Sequence, residues 1–394
     1  MKDGILVINA GSSSVKFSLF LHHAGQDPDL VSVGQVEGIN AQPHFIVKSA
    51  DGEVLAERKW EHEAATHEQL FEYLLEWVES HLGDAKLVAA GHRVVHGGMK
   101  YAKPVRITEA LIGELEELIP LAPLHQPHNL DPIKAIKRLH PGLAQVACFD
   151  TAFHRTNPWI TQTFALPYAL TDEGVRRYGF HGLSYQYIAR KLEQIDPALA
   201  RGRVVALHIG SGASMCALKG GQSYASTMGF TALDGLVMGT RTGTLDAGVL
   251  LYLMDHKHMT SKEIETLLYK QSGLLGVSGI SPDMRDLIGN KDPRAIQAVE
   301  LFIHRICREL GSLTAALQGL DGIVFTAGVG EHSPEIRRGV CDQLAWLGVK
   351  LDEQANLKNQ SALISALESK VQVHIIPTNE ELMIALAVED VLQG

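Results

Sequence analysis

No stretch of this 394-residue chain approaches the roughly 18 consecutive apolar residues that a membrane-crossing helix needs, and the opening run Ile5 to Ile8 is far too short for a secretory signal. A cytoplasmic protein is the expectation, with no membrane partner. Cysteine is scarce: Cys148, Cys216, Cys307 and Cys341 stand far apart, no pair forms CxxC, and no histidine lies beside them at zinc-ligand spacing. They read as buried thiols. Long basic runs are missing too, and a formal charge of -10 with 35 scattered Lys and Arg residues argues against nucleic acid and anionic membranes as partners. With 15 prolines, 20% charged and 45% hydrophobic residues, the chain is not a disordered one and can bury a deep core.

Two familiar nucleotide signatures are also missing. No GxGxxG follows a strand, which disfavours a Rossmann site, and no GxxxxGK followed by Ser or Thr occurs, which disfavours a P-loop kinase. Any phosphate must be held another way. The string His62-Glu63-Ala64-Ala65-Thr66-His67 imitates a zincin motif, but residues five apart lie about 140° apart around a helix and cannot share a metal.

What the chain does contain is a repeated unit. Ile5-Leu6-Val7-Ile8 runs into the small-residue turn Asn9 to Ser14, and then Val15, Phe17 and Leu19 alternate as on one face of a strand. In the later half Val204 to Ile209 runs into Gly210-Ser211-Gly212-Ala213-Ser214, followed by the strand-like Met215 to Leu218. Strand, turn, strand therefore appears once in each half. A third glycine turn, Ala327-Gly328-Val329-Gly330, follows the strand Ile323 to Thr326 and leads to Ser333-Pro334-Glu335, which reads as a helix N-cap followed by a proline in the first turn. Amphipathic helices are expected over Thr66 to His81, with Leu70, Leu74, Leu75 and Val78 inward, and from about Pro293 to Gln318, with Ile296, Val299, Ile303, Ile306 and Leu310 inward.

This length exceeds what one core usually supports, so two α/β domains with a cleft between them are expected. The strand Val146 to Phe149 ends at Asp150, which sets the boundaries at 1–150 plus the returning C-terminal helix 382–394, and 151–381.

Several of these segments carry chemistry. Gly11 lets backbone amides approach an anion, with hydroxyls beside it and Lys16 just beyond; an ordinary hairpin turn with a surface lysine fits that segment equally well. The matching turn Gly210 to Ser214 strengthens the phosphate reading. Arg93, in Gly91-His92-Arg93-Val94-Val95-His96-Gly97-Gly98, is either an anion-binding group or half of a salt bridge. Arg241, in Met238-Gly239-Thr240-Arg241-Thr242-Gly243, is held between glycines, where its planar fork suits phosphate oxygens. Asp150 follows an apolar strand, a usual place for a metal- or water-positioning carboxylate, although it could equally cap the next turn. His181, between Phe180 and Gly182, is a third candidate, whereas histidines such as His22 and His23 read as solvated. Thr378-Asn379-Glu380-Glu381 is capping chemistry first and a carboxylate site second.

Together these segments resemble the acetate kinase family of the actin-like and sugar-kinase-like superfamily. The resemblance runs from Val7-Ile8-Asn9-Ala10-Gly11-Ser12-Ser13-Ser14 through Phe149-Asp150-Thr151-Ala152-Phe153-His154, Tyr178-Gly179-Phe180-His181-Gly182 and Met238-Gly239-Thr240-Arg241. It continues with Gly328-Val329-Gly330-Glu331 and Thr378-Asn379-Glu380-Glu381-Leu382. It implies an α/β fold of two duplicated ribonuclease-H-like, actin-like domains and Mg-dependent phosphoryl transfer from ATP to acetate, with ADP as product and Mn2+ able to substitute. It further implies a homodimer. By the same resemblance Asn9 and Glu380 lie near Mg2+. Arg93, Arg241, Asp150 and His181 form the catalytic centre. Lys16, Ser12, His208, Gly210, Ser211, Gly212, Ala327, Gly328, Gly330 and Glu331 meet the nucleotide, and Asp283 and Arg285 its nucleoside. Val95, Leu124, Phe180 and the position of Ala232 line the alkyl pocket beside Arg93.

Two positions depart from the family pattern. Gly210-Ser211-Gly212 replaces the usual Gly-Asn-Gly, which bears on the phosphoryl donor, and Thr231-Ala232-Leu233-Asp234-Gly235 replaces Thr-Pro-Leu-Glu-Gly, which bears on the substrate methyl. Propionate kinase, with the same centre and another alkyl pocket, is the nearest alternative. An actin-like ATPase switch is the rival of a different class, and arginines and a histidine on glycine loops favour small-molecule transfer over it.

Overall fold

The computed structural model describes residues 3–11, 14–23, 25–39, 42–60, 66–358 and 362–393. The chain divides into two compact units, Met1–Ala152 with Asn379–Gly394, and Phe153–Thr378.

The first unit is built on an eight-stranded sheet. Its strands are β1 (Asp3–Ala10), β2 (Ser14–Leu21), β3 (Asp29–Glu37), β4 (His44–Ser49), β5 (Val54–Lys59), β6 (Lys86–Val94), β7 (Val105–Arg106) and β8 (Ala144–Phe149), in the order β5-β4-β3-β2-β1-β6-β8-β7. β1 pairs antiparallel with β2 but parallel with β6, and β6 runs parallel with β8. Because β1 is covered on both faces, its apolar residues run continuously rather than alternating. The edge strand β5 is mostly exposed and carries Glu57, Arg58 and Lys59, charges that discourage pairing with another chain.

Helix His67–Ser80 covers one face of this sheet. Thr66 caps it through a reciprocal bond pair with Gln69, and Leu70, Leu74, Leu75 and Val78 are buried, as the spacing required. On the other face the C-terminal helix Glu380–Gln393 sits so close to Gly91 that a Cβ there would lie 2.5 Å from Ile384.

The second unit has a five-stranded sheet of β9 (Arg203–Ile209), β10 (Ala213–Lys219), β11 (Gln222–Ser226), β12 (Gly322–Thr326) and β13 (Gln372–Ile375), ordered β11-β10-β9-β12-β13. Its pattern of an antiparallel β9–β10–β11 meander with β12 and β13 parallel to β9 repeats the β1, β2, β3, β6, β8 pattern. The repeated strand-turn-strand unit in the sequence is thus the opening hairpin of each sheet.

Three expectations change. In helix Pro293–Leu317 the buried stripe is Ala295, Ala298, Phe302, Ile306 and Leu310, while Ile296 is exposed and Val299 and Ile303 only half-buried. Close packing favours the small alanines at the point of nearest approach, which a search for large aliphatics overlooks. The third glycine turn is itself a helix, Ala327–His332, with a second helix Pro334–Gln343 directly after it, and Ser333 makes no side-chain cap bond. Histidine is less solvated than expected: His92, His96, His154 and His374 are buried, and His22 is paired with Glu389. Cys148, Cys216 and Cys341 are buried thiols and Cys307 is intermediate. Ser12, and the His62 to Ala65 part of the zincin-like string, lie outside the described residues.

Candidate active site

In the first unit, Asn9, Arg93 and Asp150 stand at the C-terminal ends of the parallel strands β1, β6 and β8, where open α/β sheets present ligands. Arg93 Nε donates to Asp150 Oδ1 at 3.1 Å and Nη2 to Oδ2 at 2.5 Å, while Nη1 donates to Asn9 Oδ1 at 3.2 Å. The salt bridge left open by the sequence is therefore present. Glu380, at the start of the C-terminal helix, places Oε2 3.8 Å from Arg93 Nε. Burial opposes the Arg93 charge, but Asp150 and Glu380 outweigh it and raise the guanidinium further above its ordinary value. Burial likewise pushes Glu380 well above the usual carboxylate range, opposed by Arg93 and reinforced by the charges of Asp150 and Glu381.

Lys16, exposed on β2 and paired in register with Asn9, lowers Glu380 slightly through its charge. One arginine thus faces three carboxylates, and the oxygen donors Asn9 and Glu380 are of the hard kind that Mg2+ or Mn2+ accepts. The residues present fit such an ion. Two buried amides hold the neighbouring backbone. Asn129 bridges the carbonyl of Ala10 and the N–H of Val95, and Gln126 pairs with both N–H and C=O of His96. Val95 is buried beside them and Leu124 is half-buried.

The second unit carries the glycine loops. Gly210 N–H closes on Gly212 O at 3.1 Å, and Gly239 N–H donates to Ser211 O at 3.3 Å, so the β9–β10 turn and the segment preceding Arg241 support one another. Next to them opens a cavity of about 740 Å³. Gly210, Ser211, Gly239, Thr240, Asp283 and Arg285 form part of its wall, together with Gly328, Val329 and the apolar Leu274, Met284 and Phe302 among others. Arg285 is exposed and its guanidinium, bonded to Asp283, holds that carboxyl down at about 2.

Ala327 adopts φ 64, a left-handed conformation uncommon for alanine, so the chain turns sharply between β12 and the helix it opens. Glu331 Oε1 accepts from the N–H of Ala327 at 2.7 Å and of Thr378 at 3.2 Å; its carboxylate braces the loop from within. The fully buried Arg337 donates to the carbonyls of Gly330 and Glu331 at 2.9 and 2.8 Å. Glycine spacing disclosed the loop, but nothing local in the sequence marked Arg337 as its support, nor Asn129 and Gln126 as supports of the Ala10, Val95 and His96 backbone in the first unit.

His181 caps helix Gly182–Ile195 in the left-handed region, φ 56, and its ring stacks on His208 with centroids 4.1 Å apart. Phe180 is buried beside it. Arg241 Nη1 donates to the carbonyl of Ala232 at 3.0 Å, joining two sequence candidates that lie nine residues apart.

The chain is similar to known proteins over nearly its whole length. A model of the acetokinase family matches residues 4–386. Acetate kinase of Rhodopseudomonas palustris (strain TIE-1) is 54% identical over 388 residues, 98% of this chain and 97% of that protein. Acetate kinase of Methylocella silvestris is 50% identical over 392 residues, 98% and 97% of the two chains. Among solved structures, acetate kinase of Porphyromonas gingivalis has a TM-score of 0.88 at 38% identity, covering 99% of this chain and 100% of that one. A propionate kinase from Francisella tularensis has a TM-score of 0.90 at 37% identity, covering 98% of each. The chain shares their fold, the α/β, actin-like arrangement of two duplicated ribonuclease-H-like domains.

Proposed function

The chain belongs to the acetokinase family and is an enzyme, a kinase, and from that premise we propose that it moves a phosphoryl group reversibly between ATP and acetate by direct in-line transfer, with acetyl phosphate and ADP as products. The observation that carries this reading is the cavity walled by the Gly210–Ser211, Gly239–Thr240 and Gly328–Val329 backbone. Its volume suits a nucleoside, and its glycines let amides approach phosphate oxygens without a Cβ in the way.

Acetate is already ionised at pH 7, its carboxyl pKa being near 4 or 5, so the reaction needs alignment and charge more than a base. Of the five guanidinium N–H groups of Arg93, three are engaged with Asp150 and Asn9, and the remaining two are available to an anion. Arg93 therefore binds the carboxylate while Asp150 fixes its plane. Arg241, oriented by the Ala232 carbonyl, offers its fork to the transferring phosphoryl, and His181 donates to the same oxygens. Asn9 and Glu380 would hold Mg2+, or Mn2+ in its place, which when bound offsets negative charge on the phosphate oxygens. Asp283 and Arg285 meet the nucleoside, and Lys16 the phosphates.

In helix Ala247–Asp255 no residue is buried, and Val249, Leu251, Tyr252 and Met254 are exposed. Such an apolar surface supports a homodimer formed through it. Among the described residues no helix is long and apolar enough to cross a membrane, which is compatible with a cytoplasmic enzyme.

Ala232 supports a second reading, propionate as an acceptor, since alanine is smaller than the proline usual at this position. A steady-state panel of acetate, propionate and butyrate against ATP, GTP and pyrophosphate tests both. ADP release independent of any carboxylate would overturn the transfer reading in favour of an ATPase.

A further inference from the structure

We propose that Tyr185 and Ser214 form a buried hydroxyl relay that locks His181 in the tautomer with its proton on Nε2, making Tyr185 and Ser214 positioning residues for the transfer. The proposal rests on reading His181 as the group that meets the transferring phosphoryl, and it names what sets that group's donor.

His181 Nδ1 lies 2.8 Å from Ser214 Oγ, and Ser214 Oγ lies 2.5 Å from the Tyr185 hydroxyl. Ser214 and Tyr185 are both fully buried. The arrangement follows from the local fold. His181 and Tyr185 are four residues apart at the start of helix Gly182–Ile195 and so share a face, while Ser214 lies in β10, directly beyond the glycine loop.

The direction of the relay follows from the acidity of its members. A phenol, with pKa near 10, is a stronger donor and a weaker acceptor than an aliphatic hydroxyl, so Tyr185 donates to Ser214. Ser214 has a single proton and directs it to His181 Nδ1. Nδ1 is then the acceptor, and the neutral imidazole carries its proton on Nε2. That nitrogen lies 3.5 Å from where a Cβ at Gly212 would stand, so the donor is directed toward the loop read as phosphate-binding. Reversing the relay would leave Nε2 a lone pair, which repels an oxyanion.

His208 is anchored in a parallel manner. Its Nδ1 lies 2.8 Å from Ser184 Oγ, which lies 2.9 Å from Thr378 Oγ1, and its ring stacks against His181. Stacking restrains the plane of the His181 ring, and the serine selects its tautomer.

The test is 15N NMR of the histidine side chains in the full chain at a pH where His181 is neutral, its signal assigned by loss in His181→Gln. The expected result is the Nε2–H tautomer in the wild type. Tyr185→Phe is expected to mix the tautomers and lower kcat about 5-fold, the factor equivalent to one neutral hydrogen bond of about 1 kcal/mol, with the KM for ATP unchanged. Ser214→Ala is expected to lose on the order of 10²-fold in kcat, as for removal of a transition-state donor. Dominance of the Nδ1–H tautomer in the wild type would overturn the proposal without reference to any variant, as would a Tyr185→Phe protein with unchanged tautomer ratio and kcat. Absence of acetate-dependent ADP formation in the wild type would instead overturn the acetate reading, leaving the tautomer result to stand by itself.

Discussion

Arg93 grips Asp150 with two prongs, Nε to Oδ1 at 3.1 Å and Nη2 to Oδ2 at 2.5 Å, and Asp150 is only 1% exposed. The pair serves two ends at once. It satisfies a buried carboxylate that would otherwise be costly, and it fixes the plane in which the other Arg93 donors point.

Removing the arginine separates those ends. Arg93→Ala leaves Asp150 buried and unpaired, at a cost of about 3 to 5 kcal/mol, and also raises the KM for acetate. The double variant Arg93→Ala with Asp150→Asn is expected to regain much of the stability in urea unfolding without regaining turnover. Turnover close to wild type in the double variant would show that Arg93 does no more than balance Asp150.

Arg241→Lys keeps the charge but loses the planar fork bonded to Ala232 O. Folding is expected to change little, because lysine keeps the positive charge on the same loop, while kcat falls on the order of 10²-fold or more. Circular dichroism with single-turnover kinetics checks both halves. An unaltered chemical step would remove Arg241 from the catalytic group.

Ala232→Pro tests the alkyl pocket. Ala232 offers its carbonyl to Arg241, and a proline retains that acceptor. One methylene in an apolar pocket is worth about 1 to 3 kcal/mol, so narrowing the site is expected to raise the acetate-to-propionate ratio of kcat/KM by roughly 10-fold or somewhat less. A flat ratio in a folded, active variant would assign discrimination to Val95, Leu124 or Phe180.

His154 makes stability pH-dependent. It is buried against Ser223 Oγ and the Phe180 carbonyl at 2.8 and 2.9 Å, and burial pushes its pKa down to about 4, although the Phe180 bond works the other way. Between about pH 6.5 and 4 the unfolded chain therefore binds a proton that the folded chain refuses, and stability falls as pH falls through that window, by up to about 1.4 kcal/mol per unit. His154→Gln removes this contribution. Its deficit relative to the wild type in urea midpoint is expected to shrink between pH 7 and 5; a constant deficit would mean that His154 titrates normally in the folded protein.

The repeated hairpin was legible because two strands and a small-residue turn are local, and Val15, Phe17 and Leu19 are indeed all buried on β2. The glycine loops were legible for the same reason, since a turn without Cβ atoms is written in consecutive residues. The stripe of helix Pro293–Leu317 was misjudged because spacing alone does not say which neighbour approaches most closely, and there the alanines lie inward. The helix Ala327–His332 was missed because it is held by Glu331 from within and by Arg337 from beyond, groups with no local signature.

The sequence by itself determined the class of chemistry, because the ordered segments that carry the resemblance to the acetate kinase family are stretches of adjacent residues whose likeness survives without coordinates, although each alone left its role open. Only the tertiary structure decided which groups act on one another. Arg93 with Asp150 spans 57 positions and His181 with Ser214 spans 33. Such pairs form because parallel strands bring their C-terminal ends together and because a helix lies across the sheet. A charge or a tautomer is set by whatever lies within about 3 Å, and at that range position along the chain says little about which residue will be the neighbour.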